Sequence, residues 1–73
     1  LYKKTSSGGS FALVAEKSSM TDSTIYINPV PDQTGTTLIA DFSNAVAIRI
    51  ELYAVLNSFE SLQKHVIDVD IVV

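Results

Sequence analysis

The clearest pattern along this chain is the alternation of apolar and polar residues between Val46 and Leu56. Successive side chains of an extended backbone point to opposite faces. One face of this stretch would carry Val46, Ile48, Ile50 and Leu52. The other face would carry Ala47, Arg49, Glu51 and Tyr53. The pattern predicts a strand that buries its aliphatic face in a core and shows its polar face to water.

A helix through Asn44–Val66 is the competing interpretation of the same region. Its apolar stripe, spaced 4-3-4-3-4, would contain Ile48, Leu52, Val55, Phe59, Leu62 and Val66. This spacing is typical of one helix face, and Ser43 or Asn44 would be a suitable N-cap. However, the helix would leave Val46, Ile50 and Tyr53 outside the stripe and would begin with β-branched residues, which disfavour helix. We therefore predict a strand.

Four further segments have the composition of strands. They are Phe11–Ala15, Thr24–Asn28, Thr37–Phe42 and Val66–Val73. In the last segment, aliphatic residues alternate with Asp68 and Asp70. Five strand candidates with turn residues between them favour an all-β sandwich over an alternation of strands and helices.

The connections between these segments are rich in turn residues. Glu16–Ser23 is polar and predicts a loop. Pro29 and Pro31 predict a stiff corner at Asn28–Asp32, because each proline fixes its own φ and keeps the preceding residue extended. Gly35 follows in a segment with turn chemistry and is suited to a positive φ.

Two more breaks follow in the second half of the chain. Ser43-Asn44 predicts a tight connection, because Asn tolerates left-handed backbone geometry. It would join Thr37–Phe42 and Val46–Leu56 into a hairpin. Asn57-Ser58 is the second break, and Phe59–His65 stays open between one helical turn and a strand with its connection.

Length and composition allow one small domain. The chain has 73 residues, of which 47% are apolar and 18% charged, as expected of a folded domain. Leu1–Ser10 is expected to be an interdomain linker or a cloning remnant, because Thr5–Ser10 has nothing to bury. A single domain would then span residues 11–73.

Composition also excludes several kinds of site. The chain contains no cysteine, which excludes a disulfide scaffold and a thiolate metal site. Its net charge of −3 does not support binding to nucleic acid or to an anionic membrane. No apolar run approaches the roughly 20 residues of a membrane-spanning helix.

No catalytic constellation and no cofactor-binding motif is recognisable in the sequence. His65 is the only histidine, and a single His beside a strand is usually a surface residue. Asp68 and Asp70 would project from the same side of a strand, but a calcium site would need several more oxygen ligands. A solvated strand face that discourages aggregation also explains them. Arg49 and Glu51 are suited to pairing with a neighbouring strand or a partner domain.

Three stretches of the chain together are similar to a known pattern. Residues 25–32 read Ile-Tyr-Ile-Asn-Pro-Val-Pro-Asp, Thr37–Phe42 is the strand that follows, and Val46–Leu56 is a later strand that contains Glu51-Leu52-Tyr53. The combination resembles the C-terminal sorting domains of proteins exported by the Bacteroidetes type IX secretion system. That family typically opens with a Tyr-Pro-Asn-Pro-like motif and has a later strand ending in Ile-Tyr-Asp-x-x-Gly. The matching motif residues would be Tyr26, Asn28, Pro29, Asp32, Glu51, Tyr53 and Asn57.

The chain also departs from the pattern of this family. Ile27 replaces the first proline of the motif, Ala54 stands where the family often has Asp, and Asn57 where it has Gly. The family's closing Gly-Val-Tyr strand and its final Lys-rich strand are not visible before Val73. The chain would therefore be truncated or cleaved at its C-terminus, or a distant relative.

The resemblance implies a small immunoglobulin-like antiparallel β-sandwich that follows a secreted cargo domain. It would be a non-catalytic sorting and secretion signal without a cofactor. Its partners would be the outer-membrane protein export translocon and a sorting peptidase that removes it. The protein would pass through the periplasm to the cell surface or the medium, without inserting into the membrane and without binding nucleic acid.

Two functions of other classes stay open from the residues. An adhesion or carbohydrate-binding sandwich would group Tyr26 and Tyr53 on one exposed face, where aromatic rings offer flat apolar surface. A small virion or pilus-like structural subunit would use Phe11–Ala15 or Val66–Val73 to complete a neighbour's sheet.

Overall fold

The computed structural model describes residues 1–54 and 63–71. These residues form six strands and no helix. The strands are β1 (Tyr2–Lys4), β2 (Ala12–Leu13), β3 (Ile25–Ile27), β4 (Thr36–Leu38), β5 (Ala47–Ala54) and β6 (Gln63–Asp70). The predicted all-β class is confirmed. No helix in the described part of the chain could span a membrane.

The strands belong to two sheets. The larger is a four-stranded antiparallel sheet with the order β2-β1-β5-β6, and the smaller is a parallel pair of β3 and β4. β5 is an inner strand of the larger sheet, so the predicted strand at Val46–Leu56 is confirmed over Ala47–Ala54. The alternative helix through Asn44–Val66 is wrong over the same residues.

The last strand begins earlier than the sequence predicts. β6 starts at Gln63, so the end of Phe59–His65, which the sequence left undecided between helical turn and strand, is strand. The predicted strand at Val66–Val73 is confirmed over its first five residues. β6 pairs with β5 from Ala47↔Asp70 to Ala54↔Gln63. The predicted break at Asn57-Ser58 lies outside the described residues.

The first residues of the chain are part of the larger sheet, although no strand was expected within Leu1–Ser10. Tyr2–Lys4 is β1 and lies between β2 and β5. Leu1 is buried, and its ammonium group donates a hydrogen bond to the Ala15 carbonyl at 2.8 Å. An inner strand needs hydrogen-bond partners on both of its edges, and β1 supplies them to β5 on the side away from β6.

The predicted hairpin between Thr37–Phe42 and Val46–Leu56 is wrong. β4 is shorter than predicted and pairs in parallel with β3, from Ile25↔Thr36 to Ile27↔Leu38. The connection at Ser43-Asn44 does turn as expected, with Asn44 at a φ of 61°. It leads the chain from the smaller sheet into β5, which lies beside β1. The Val46 N–H, just before β5, donates to the Lys4 carbonyl at 2.7 Å.

The aliphatic face of β5 is only partly covered. Ile48 and Ile50 are half-buried, whereas Val46 and Leu52 are exposed. The expectation that all four lie in a core is therefore wrong. The most buried residue of β5 is Ala47, on the opposite face, with only 2% of its surface exposed.

A cleft of about 650 Å³ is lined by residues from both sheets. Its apolar lining includes Ile25, Ile27 and Leu38 from the smaller sheet, and Ile50, Leu52 and Ile67 from the larger one. The strands of the smaller sheet have three residues each, whereas β5 and β6 have eight. The smaller sheet is thus too short to cover the whole aliphatic face.

Candidate functional site

The polar face of β5 and β6 carries a bidentate ion pair. Arg49 and Asp68 lie opposite each other in the register, and Arg49 Nε and Nη2 donate to Asp68 Oδ1 and Oδ2 at 2.8 and 3.1 Å. The guanidinium also lies 4.2 Å from the centre of the Phe11 ring. The hydrogen bonds lower the pKa of Asp68 and raise the pKa of Arg49. The expected pairing of Arg49 with a neighbouring strand is confirmed.

A second cluster forms around Glu51 on the same face. The Tyr53 hydroxyl donates to Glu51 Oε2 at 2.7 Å, and Lys64 Nζ lies 3.1 Å from Glu51 Oε1. These two interactions lower the pKa of Glu51, and the charge of Glu51 raises the pKa of Tyr2. We refer to Arg49, Asp68, Glu51, Tyr53 and Lys64 together as the polar ladder. Its opposite charges across the two strands favour the observed register of β5 against β6.

The Asn28 side chain clamps the corner that follows β3. The Asn28 N–H donates to the Leu38 carbonyl at 2.7 Å, and Asn28 Oδ1 accepts from the Ala40 N–H at 3.1 Å. Asn28 has a φ of 60°, which Asn tolerates better than most residues. Because Asn28 Oδ1 takes the Ala40 N–H, the side chain competes with a strand ladder, and β4 ends at Leu38.

Exposed aliphatic side chains flank this clamp. Val30 is 55% exposed and Ile39 is 73% exposed, the highest exposures among the large apolar residues that the structure describes. Ile39 lies between the two residues that bond to Asn28, and Val30 lies between Pro29 and Pro31. We refer to Asn28–Asp32 together with Ile39 as the corner patch. The hydrogen bonds of Asn28 and the two prolines restrict its backbone, and its apolar side chains face water.

The motif residues of the sequence analysis fall into two separate groups. Tyr26, Asn28, Pro29 and Asp32 lie in the smaller sheet and its corner, whereas Glu51 and Tyr53 belong to the polar ladder. Asn57 lies outside the described residues. Tyr26 is half-buried and Tyr53 is exposed. The two tyrosines belong to different sheets, so the geometry does not support the grouped aromatic face that a carbohydrate-binding module would need.

The acidic and histidine candidates are also separated. His65 lies opposite Leu52 on the aliphatic side of the sheet, whereas Asp68 and Asp70 lie on the polar side. Asp68 is engaged by Arg49, and Asp70 lies opposite Ala47. Over residues 1–54 and 63–71, no group of His, Asp and Glu side chains is placed to hold a metal ion.

Sequence reasoning predicted the corner at Asn28–Asp32 but missed the exposed Ile39 beside it, and it considered Val66–Val73 as a free edge only for a structural subunit. It placed Ile39 inside a strand, because the alternation of Thr37–Phe42 is compatible with one. β6 is the last strand of its sheet, and every described residue in it is exposed. The signal for this edge was present in the alternation of Asp with aliphatic residues after Val66.

Comparison with known proteins adds no assignment. No protein-family model matches the chain, and neither the curated proteins nor the solved structures contain a significant match.

Proposed function

We propose that this chain is a non-catalytic sorting domain that an outer-membrane protein export machinery recognises through the corner patch. The observation that carries the proposal is the exposure of Val30 and Ile39 in the segments that the Asn28 hydrogen bonds join. Exposed apolar side chains on an ordered backbone are suited to protein recognition, because little conformational entropy is lost when a partner covers them. Asn28, Pro29 and Asp32 are also three of the seven motif residues on which the resemblance to sorting domains rests.

The proposal extends to the fold and to the setting of the domain. The two sheets would be the layers of a small immunoglobulin-like sandwich, and the cleft lined by both of them is what supports this arrangement. A cargo domain would precede the sorting domain. After export through the periplasm, a sorting peptidase would release the cargo domain from the sorting domain by a cut before β1, because β1 and β2 are strands of the larger sheet.

Fusion to a reporter tests this function. The full chain is attached to the C-terminus of a reporter in a bacterium with a type IX secretion system, and surface and periplasmic reporter are measured. We expect export of the unmodified fusion. Ile39→Asp and Val30→Asp should each lower export by about tenfold or more, because they place a charge in an apolar contact.

A matched control separates recognition from folding. Val69 is a similarly exposed aliphatic residue, with 48% of its surface exposed, but it lies on β6 rather than in the corner patch and does not line the cleft. Val69→Asp should leave export unchanged, and all three variants should keep the circular dichroism of the parent. Periplasmic retention of the unmodified fusion would contradict the sorting function. Normal export of both patch variants would contradict the role of the corner patch.

A further inference from the structure

The outer edge of β6 offers a row of backbone groups that no described strand pairs. The Ile71 N–H donates to the Val46 carbonyl at 2.9 Å, and the β5–β6 register runs without interruption. In an antiparallel pair, alternate residues bond to the partner strand. The odd-numbered residues of β6 therefore bond to β5, and the even-numbered residues direct their N–H and C=O groups outward. These outward residues are Lys64, Val66, Asp68 and Asp70.

We propose that this edge pairs with the same edge of a second copy of the chain. The two β6 strands would run antiparallel about a two-fold axis at Ile67, joining two four-stranded sheets into one. Lys64 would then lie opposite Asp70 of the second copy, and Val66 opposite Asp68. All of these residues direct their backbone groups outward, so the pairing would form about eight inter-strand hydrogen bonds.

Charge complementarity selects this register. Within its own sheet Asp70 lies opposite Ala47, which offers no cation. In the dimer it would face Lys64 of the second copy, and the symmetry axis repeats that pair. Opposite charges directly across from each other stabilise a sheet. On the other face of the sheet, Ile67 would contact its own symmetry mate and His65 would lie opposite Val69.

Neighbouring registers are less favourable. A shift that places Asp68 on the axis sets its carboxylate against that of the second copy, which is destabilising. A shift that places Val66 on the axis would set Lys64 of one copy opposite Asp68 of the other. Asp68 already has a cation, because Arg49 contacts it at 2.8 Å. A shift of the pairing by one residue would set residues whose backbone groups point outward against residues whose groups already bond to β5. It would also place the polar face of one β6 beside the aliphatic face of the other.

The Ile67-centred register pairs the outward backbone groups and gives Asp70 a cation. Lys64 also contacts Glu51 at 3.1 Å, but its ammonium has three N–H groups and can donate to both carboxylates.

Engineered cysteines test the register directly, because the chain contains no native cysteine. Ile67 would form a non-hydrogen-bonded pair with its mate, with Cα atoms about 4.5 Å apart. That separation is compatible with a disulfide, so Ile67→Cys should form a covalent dimer under mild oxidation. Val69→Cys is the matched control, since Val69 would lie about 13 Å from its mate.

Sedimentation equilibrium tests the association itself. The unmodified 73-residue chain should be in a concentration-dependent monomer–dimer equilibrium. Asp70→Lys and Val66→Pro should each raise the dimer Kd by about tenfold or more, the first by like-charge repulsion and the second by removing an outward N–H. Both variants should keep the circular dichroism of the parent, because neither change touches a bond between β5 and β6.

The dimer does not depend on the proposed sorting function, because it uses the β6 edge and not the corner patch. A chain that sediments as a monomer at its highest soluble concentration would overturn it. So would equal cross-linking of Ile67→Cys and Val69→Cys, or an unchanged Kd in folded Val66→Pro. Export of the reporter fusion bears only on the sorting function, so the two proposals can fail separately.

Discussion

The structure predicts that a single methyl group at Gly35 disrupts the smaller sheet. Gly35 has a φ of 135°, a backbone conformation that residues other than glycine rarely adopt. An added Cβ would lie 2.6 Å from the Thr24 carbonyl oxygen and 3.0 Å from Tyr26 Cε2. The Thr24 carbonyl accepts the Thr36 N–H at 3.0 Å, next to the first residue pair of β3 and β4. The methyl group therefore presses on the bond that begins the sheet.

The magnitude follows from two costs. Strained backbone at Gly35 contributes about 1–3 kcal/mol, and overpacking contributes about 1–3 kcal/mol. Gly35→Ala should thus lower the free energy of unfolding by about 3 kcal/mol, out of roughly 4–11 kcal/mol for a chain of this size. At about 4–8 °C per kcal/mol, the melting temperature should fall by about 12–24 °C.

Urea unfolding followed by circular dichroism measures this change, and hydrogen exchange at the Thr36 amide reports on the smaller sheet. Gly8→Ala is the control, because a Cβ at Gly8 would meet no atom within 4 Å. It should leave stability unchanged or raise it by up to about 1 kcal/mol, through a less flexible unfolded state. If Gly35→Ala stays within about 0.5 kcal/mol of the parent, the close approach at Gly35 is wrong.

Two further predictions concern the larger sheet. Ile50→Asp should lower the free energy of unfolding by about 1–3 kcal/mol in a urea titration, because it puts a charge in the half-buried apolar cleft. Ile39→Asp is the control: Ile39 is exposed, so the free energy of unfolding should change by no more than about 0.5 kcal/mol. Equal effects of the two substitutions would show that the cleft is not apolar inside. The pKa of Asp68 is lowered in the folded chain by its hydrogen bonds from Arg49, so its contribution is present above the unfolded pKa of about 3.9 and is lost as pH falls through the folded value. The melting temperature should fall through this acid range, and Asp68→Asn should make that fall shallower; an identical slope would exclude a role for the pair in acid stability.

Features that depend on local sterics were predictable from the sequence. The alternation along Val46–Leu56 predicts a strand, and the structure has one at Ala47–Ala54. Asn44 adopts the left-handed conformation expected of it, and Gly35 has the expected positive φ. In each case the residue type restricts the backbone directly, so no knowledge of distant residues is needed.

Strand pairing was not predictable, because it is decided by residues far apart in the chain. The alternation of Thr37–Phe42 is the same whether the strand pairs with β3 or β5. What ends β4 at Leu38 is the Asn28 side chain, which takes the Ala40 N–H from twelve residues away. This one hydrogen bond removes Ala40 from any ladder.

The polar ladder was predictable in kind but not in detail. Arg49 and Glu51 lie on the polar face of an alternating strand, so some acidic and basic partners were expected there. Their identities depend on the register of β6, which brings Asp68 to Arg49 and Lys64 close to Glu51. Residues 55–62, through which the chain passes between the two strands, do not reveal that register in their sequence, because both helix and strand periods fit them.

β1 shows most clearly how composition alone misleads. Tyr2–Lys4 adjoins a run of Ser, Thr and Gly, and that run suggested a linker. Yet β5 has eight residues with two edges of backbone groups, and β6 covers only one of them. Unpaired N–H and C=O groups at a strand edge favour pairing with any nearby extended segment. A short strand can pair with such an edge through its backbone even when it buries little apolar surface. The same argument applies to the outer edge of β6: its eight residues leave an equally long row of groups, so a second β6 is a better match in length than β1 is to β5.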